Sequence, residues 1–136
     1  MSESEPGDPA PLALADTSLF IALEQNRPLS DQIPGAISVS VVTLGELRLG
    51  VLAATDAATR ARRLRTLTRV EGLEPLPVES AVAAAWAEMR LALRDHGRRM
   101  PLNDSWIAAT AIARRLPVVS QDADYDGVPG LTVIRV

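Results

Sequence analysis

The stretch "PLNDSWIAATAIARRLPVVSQDADYDG", residues 101–127, carries two elements and a charge pattern in 27 positions. An apolar run with helical spacing extends over residues 103–115 and stops before Pro117, because proline disfavours helical backbone in the residue ahead of it. Residues 116–120 then read as a short strand that gives way to Asp122, Asp124 and Asp126, with Gly127 suited to the bend. A helix feeding directly into an apolar strand is half of a parallel α/β unit. In such a unit the helix begins at the edge where the strand ends. Asp104, in the first helical turn, and the aspartates after the strand therefore belong to one edge.

The flanking sequence repeats the alternation. Residues 12–16 form a first strand, and Thr17 or Ser18 caps a helix to about Gln25. Residues 36–42, valine-rich and alternating with serine, read as a second strand, and Thr43 starts a helix to about Ala54. An arginine-rich helix follows over residues 57–70. Residues 73–77 form a strand that Pro75 confines to an edge. Residues 79–96 make a long amphipathic helix closed by Gly97, and residues 131–136 supply the last strand. The pattern predicts a small three-layer α/β/α sandwich with a mainly parallel sheet over residues 12–136. Residues 1–11, acidic and rich in proline and serine, read as a disordered tail.

Composition narrows the chemistry. Apolar residues make up 47% of the 136, but only four are aromatic, so the core must be aliphatic and rich in alanine. There is no cysteine, and His96 is the only histidine. Disulfides, thiolate zinc sites, a cysteine nucleophile and a two-histidine metal site are thereby excluded. No glycine pattern marks a nucleotide-binding loop. No apolar run reaches transmembrane length, and the first residues lack the basic start and apolar core of a signal peptide. A cytoplasmic protein with no membrane contact is the expectation. Net charge is −3, and every basic side chain is arginine. Arginine suits phosphate through its planar fork, although genome composition produces the same bias.

In an open parallel sheet, reactive side chains gather beyond the carboxyl ends of the strands. Asp16 ends the first strand, Glu46 lies in the first turn of the helix after the second, Asp104 opens its helix, and Asp122 and Asp124 follow the next strand. Each has a structural explanation of its own. Asp16 fits a turn, Thr43-Leu-Gly-Glu46 fits a capping box, Asp104 suits a helix dipole or leaves the cap to Asn103, and the last aspartates suit a polar turn. Together they repel unless a cation neutralises them. Oxygen ligands without sulfur or imidazole suit Mg²⁺ or Mn²⁺, and the matching chemistry is phosphoryl transfer to water.

Four blocks in order, "LADTSLFIAL", "SVVTLGELRLGVL", "PLNDSWIAATAIARRLPVVSQDADYDG" and the terminal "VIRV", resemble the PIN-domain ribonucleases, specifically VapC-type toxins of bacterial toxin–antitoxin pairs. The family's first-strand aspartate matches Asp16 and its glutamate matches Glu46. Its helix-start aspartate matches Asp104, its last acidic position Asp122, and Asp124 is a common accessory. Where the family usually has phenylalanine after that accessory, this chain has Tyr125. The resemblance implies a Mg²⁺- or Mn²⁺-dependent endoribonuclease acting on RNA, a homodimer, and inhibition by a cognate VapB-type antitoxin.

Arg48, Arg94, Arg98 and Arg99 are candidates for contact with the RNA backbone. Trp106 suits either base stacking or the core, and His96 suits a helix end. Two further readings stay open: a metal-dependent DNA or flap nuclease, and a non-catalytic cation-binding interaction domain.

Overall fold

The computed structural model describes residues 12–30 and 33–136; the expected tail, residues 1–11, lies outside them. Strand β1 (Leu12–Ala15) leads to helix α1 (Thr17–Glu24), and β2 (Ala36–Ser38) leads to α2 (Val41–Ala53) and α3 (Ala57–Glu71). Helices α4 (Ser80–Asp95) and α5 (Leu102–Arg114) precede β3 (Val118–Ser120), a 3-10 turn (Ala123–Tyr125) and β4 (Val133–Arg135). The strands run in the order β2-β1-β3-β4 and every pairing is parallel. Their carboxyl ends therefore share one edge.

The alternation of the strands divides the core into two layers. Leu14 and Val118 face one side, where they meet Val82, Met89 and Leu93 of α4 and Ile107, Ala108 and Ala111 of α5. Ala13, Ala15 and Val119 face the other, against Leu19 and Phe20 of α1, Leu47 of α2, and Leu67 and Val70 of α3. The expected α/β/α sandwich is the observed one. Its aliphatic core follows from the sequence: Ala108, Ala109 and Ala111 of α5 are fully buried in the layer shared with α4.

Several local expectations are corrected. The second strand ends at Ser38, because Ser40 Oγ accepts the Val42 amide at 3.0 Å and starts α2 at Val41. This cap outweighs the strand preference of the two valines. Thr43 is consequently inside the helix, its amide bonded to the Ser40 carbonyl at 3.0 Å, and the supposed capping box does not form. Glu46 moves from the first helical turn to the second. Residues 73–77 contribute a single parallel bridge, Leu76 to Ser40, because Pro75 has no amide to extend the ladder. At α5 the N-cap is Pro101, which places Asn103 within the helix.

Replacing Ser40 by alanine is expected to cost about 1 kcal/mol of stability, the usual worth of a side-chain N-cap. Urea unfolding measures this directly, and an unchanged midpoint would show that the cap does not set the start of α2.

Candidate active site

Asp16 joins strand to helix and is the N-cap of α1. Its Oδ2 accepts the Ser18 amide at 3.3 Å and the Ser120 hydroxyl at 3.0 Å, while Oδ1 accepts the Tyr125 phenol at 2.8 Å. The residue is only 2% exposed, so these donors stand in for water around a buried carboxylate. Because Ser120 donates to Asp16, its oxygen is free to accept the Ser18 hydroxyl at 3.2 Å and the Asp122 amide at 2.8 Å. One serine thus ties the end of β3 to the end of β1 and orients the following turn. Thr17 and Ser18 had been the expected caps; the acid itself performs that role.

Asp104 projects from the first turn of α5, and Asp122 caps the 3-10 turn by accepting the Asp124 amide at 3.0 Å. One carboxylate oxygen from each of Asp104, Asp122 and Asp124 lies within 4.8 Å of the other two. Burial pushes the Asp104 carboxyl up to about 7; the charges of Asp16 and Asp122 and a hydrogen bond with Asp124 add to the rise, and Tyr125 opposes it. Burial and the neighbouring charges of Asp16 and Asp104 push the Tyr125 phenol far above its ordinary range, so it remains a donor. Three close oxygens from acids, with no sulfur or imidazole among them, fit a hard divalent cation.

Glu46 approaches the same edge by another route. The Thr17 hydroxyl donates to its Oε1 at 2.6 Å, Thr17 and Thr43 hydroxyls lie 3.0 Å apart, and the Asn103 amide makes a long 3.5 Å contact with Oε2. Asp104, Asp122 and Asp124 form the close group, Asp16 is joined to it through the Tyr125 hydroxyl, and Glu46 is reached through Asn103. A groove of about 420 Å³ opens there, lined by Thr17, Ile21, Glu46, Leu47, Arg63 and Asn103 among others.

The arginines divide. Arg98 donates to the Asp124 carbonyl at 2.9 Å and so braces the acidic turn. Arg94 and Arg99 line an open cleft with Arg90 at the end of α4. Arg48 faces Glu71 at 3.6 Å, in an exposed pair on the α2–α3 side. Trp106 stacks on Trp86 with centroids 4.4 Å apart, and the Trp86 indole donates to Ser105 Oγ at 2.9 Å. His96 ends α4, its Nδ1 lying 2.8 Å from the Ala92 carbonyl.

Thr17, Ser120 and Tyr125 were not singled out as site residues from the sequence. Only Tyr125 left a trace there, as the departure from phenylalanine.

The fold agrees with the comparisons. The PIN-domain family model matches residues 13–131, and the chain belongs to the PIN-domain family. Within it the chain is of the VapC type. It is 49% identical over 125 residues to Ribonuclease VapC5 of Mycobacterium tuberculosis, covering 89% of this chain and 93% of that protein. It is also 49% identical over 125 residues to Ribonuclease VapC4 of the same organism, with 91% and 96% covered. The crystal structure of VapBC-5 from M. tuberculosis, a member of the VapBC toxin–antitoxin family, superposes with a TM-score of 0.84 at 46% identity, covering 92% of this chain and 98% of that one. Family and acidic cluster together support a metal-dependent nuclease. No helix among the described residues is long and apolar enough to cross a membrane.

Proposed function

We propose that this chain is a divalent-metal-dependent endoribonuclease toxin that hydrolyses RNA phosphodiester bonds and is restrained by a cognate VapB-type antitoxin. The observation that carries the reading is the convergence of the Asp104, Asp122 and Asp124 oxygens beside buried Asp16 in a PIN domain. Asp16, Glu46, Asp104 and Asp122 are the proposed catalytic residues, and these four with Asp124 the residues that would hold Mg²⁺ or Mn²⁺. When bound, the cation supplies positive charge to the phosphate and acidifies water.

The chain's own groups do the remaining work. Asp16 is locked by its three donors and brings fixed negative charge to the end of β1. Asp104 is placed to orient the attacking water, whose oxygen forms the new bond to phosphorus as the bond to the leaving ribose oxygen breaks; the water gives up a proton to solvent and the departing oxygen takes one up as a hydroxyl. Thr17 and Asn103 hold Glu46 at the mouth. Arg94 and Arg99 are proposed to guide the RNA backbone, Arg98 to do so while bracing the turn, and Arg48 to join only where its exposed pair with Glu71 opens.

The antitoxin partner is supported by likeness to a toxin from a VapBC complex, and the groove beside Glu46 offers an apolar wall ending in acid where a partner's side chains would fit. A homodimer belongs to the same proposal.

Carboxylates alone do not separate RNA from DNA. Matched RNA and single-stranded DNA oligonucleotides distinguish the readings: cleavage of RNA only is expected, whereas preferential cleavage of DNA would favour a DNA or flap nuclease. Binding of metal without cutting either would leave a cation-binding interaction domain.

Metal affinity should depend on pH with a definite sign. A carboxylic acid must lose its proton to become a ligand, and Asp104 holds its proton up to about 7. Mn²⁺ affinity is therefore expected to fall about tenfold per pH unit below that point and to level off above it. Calorimetry between acid and mildly alkaline pH tests this; a flat profile would remove Asp104 from the titrating ligands.

A further inference from the structure

We propose that Tyr125 is a positioning residue for the acidic centre: its hydroxyl, held between Asp16 and Asp104, sets the spacing at which the two carboxylates receive a divalent cation. The inference rests on the metal-dependent reading above and adds to it a group that is neither acid nor ligand.

The geometry is specific. The Tyr125 hydroxyl donates to Asp16 Oδ1 at 2.8 Å and lies 3.3 Å from Asp104 Oδ1. These acids come from different elements, one at the end of β1 and one in the first turn of α5. A single phenolic hydroxyl thus bridges two acids whose charges push apart once both are ionised. The ring is fully buried, packed in the core layer with Leu14, Ile107 and Val128. Its backbone is also held: Arg98 donates to the neighbouring Asp124 carbonyl at 2.9 Å, and the Asp126 amide closes the turn on the Ala123 carbonyl at 3.0 Å. The hydroxyl is consequently aimed by both ring packing and turn.

A phenylalanine at this position would fill nearly the same volume without the donor. Asp16 Oδ2 would keep Ser120 and the Ser18 amide. What would be lost is the donor on Asp16 Oδ1 and with it the link to Asp104. A cation would then have to draw the acids together as it binds, and the cost would appear as weaker affinity. Groups that orient metal ligands through hydrogen bonds are commonly worth 10- to 100-fold in affinity, roughly.

The test uses the full-length protein without RNA. Calorimetric Mn²⁺ titration of wild type and Tyr125→Phe, both verified as folded by circular dichroism, is expected to show about tenfold weaker binding in the variant. Because the chain has one tyrosine, tyrosine labelled with ¹³C at Cζ provides a second readout on unaltered protein. Its single resonance is expected to shift saturably as Mg²⁺ is added.

Equal or tighter Mn²⁺ binding by a folded Tyr125→Phe, with normal binding by wild type, would overturn the positioning role and leave the metal reading standing. A Cζ resonance that does not move at saturating Mg²⁺ would overturn it even if the variant failed to fold. Absence of metal binding by wild type would overturn both readings.

Discussion

Asp104→Asn is expected to reduce metal-dependent RNA cleavage by about 10²–10³-fold, the scale of losing one preorganised electrostatic group, and at the same time to make the metal-free protein more stable. The second effect follows from the proton on Asp104. In the folded state burial and the charges of Asp16 and Asp122 raise its carboxyl from 3.8 to about 7. Between those values the folded protein retains a proton that the unfolded chain has released. Stability therefore declines as pH rises across that window, and above about 7 the full cost of the ionised group is present. Asparagine carries no charge and removes that slope. A melting temperature several degrees above wild type at pH 8, with the difference vanishing near pH 4, is the predicted pattern. A variant melting at or below wild type at pH 8 would show that Asp104 is not held against its neighbours' charge.

Asp16→Ala is expected to abolish cleavage as well, but with the opposite effect on stability. Asp16 accepts hydrogen bonds from the Ser18 amide, Ser120 and Tyr125 in a site closed to solvent. Its loss removes the cap of α1 and leaves two buried hydroxyls seeking new acceptors. Below about pH 7 relief of repulsion on Asp104 offsets only a small part of this, since Asp104 there keeps its proton, and the melt is therefore made near pH 6. A net loss of about 2–3 kcal/mol is expected, or about 10 °C in Tm for a chain of this size. Thermal melting in EDTA checks it. If Asp16→Ala raised the melting temperature as Asp104→Asn should, Asp16 would be another strained charge and not the anchor of the network. Activity alone cannot separate these two acids, whereas the signs of their stability effects can.

The contrast explains what could be read from the sequence. The Leu12–Ala15 and Val118–Ser120 strands announced themselves through apolar runs bounded by helices, and parallel alternation then forced their acidic followers to one edge. The structural explanation for Asp16 and Asp122 holds, since each caps an element, and it leaves the carboxylates at the acidic edge, where Asp122 lies close to Asp104 and Asp124. The capping box at Thr43 failed because Ser40 competes for the same helix start three residues earlier, a contest that propensity does not decide.

The supporting network was less legible because its partners are distant in the chain. Thr17 reaches Glu46 across 29 positions, Ser120 reaches Asp16 across 104, and Tyr125 reaches Asp16 across 109. No local pattern announces such pairs. A threonine after an aspartate reads as a cap, and a tyrosine in an acidic turn reads as packing. Arg98 is a further case: its charge marks it for contact with RNA, and the bond it makes to the Asp124 carbonyl, 26 positions away, could not be read from it.

The carboxylate edge is proposed to cut RNA with a divalent metal. Purified, antitoxin-free protein incubated with total bacterial RNA, in Mg²⁺ or Mn²⁺ and in EDTA, with product ends mapped by sequencing, tests it most directly. Discrete internal cuts that require the metal and disappear with Asp104→Asn are predicted. Folded wild-type protein that leaves the RNA intact with metal present, or cuts that persist in EDTA or in Asp104→Asn, would contradict it.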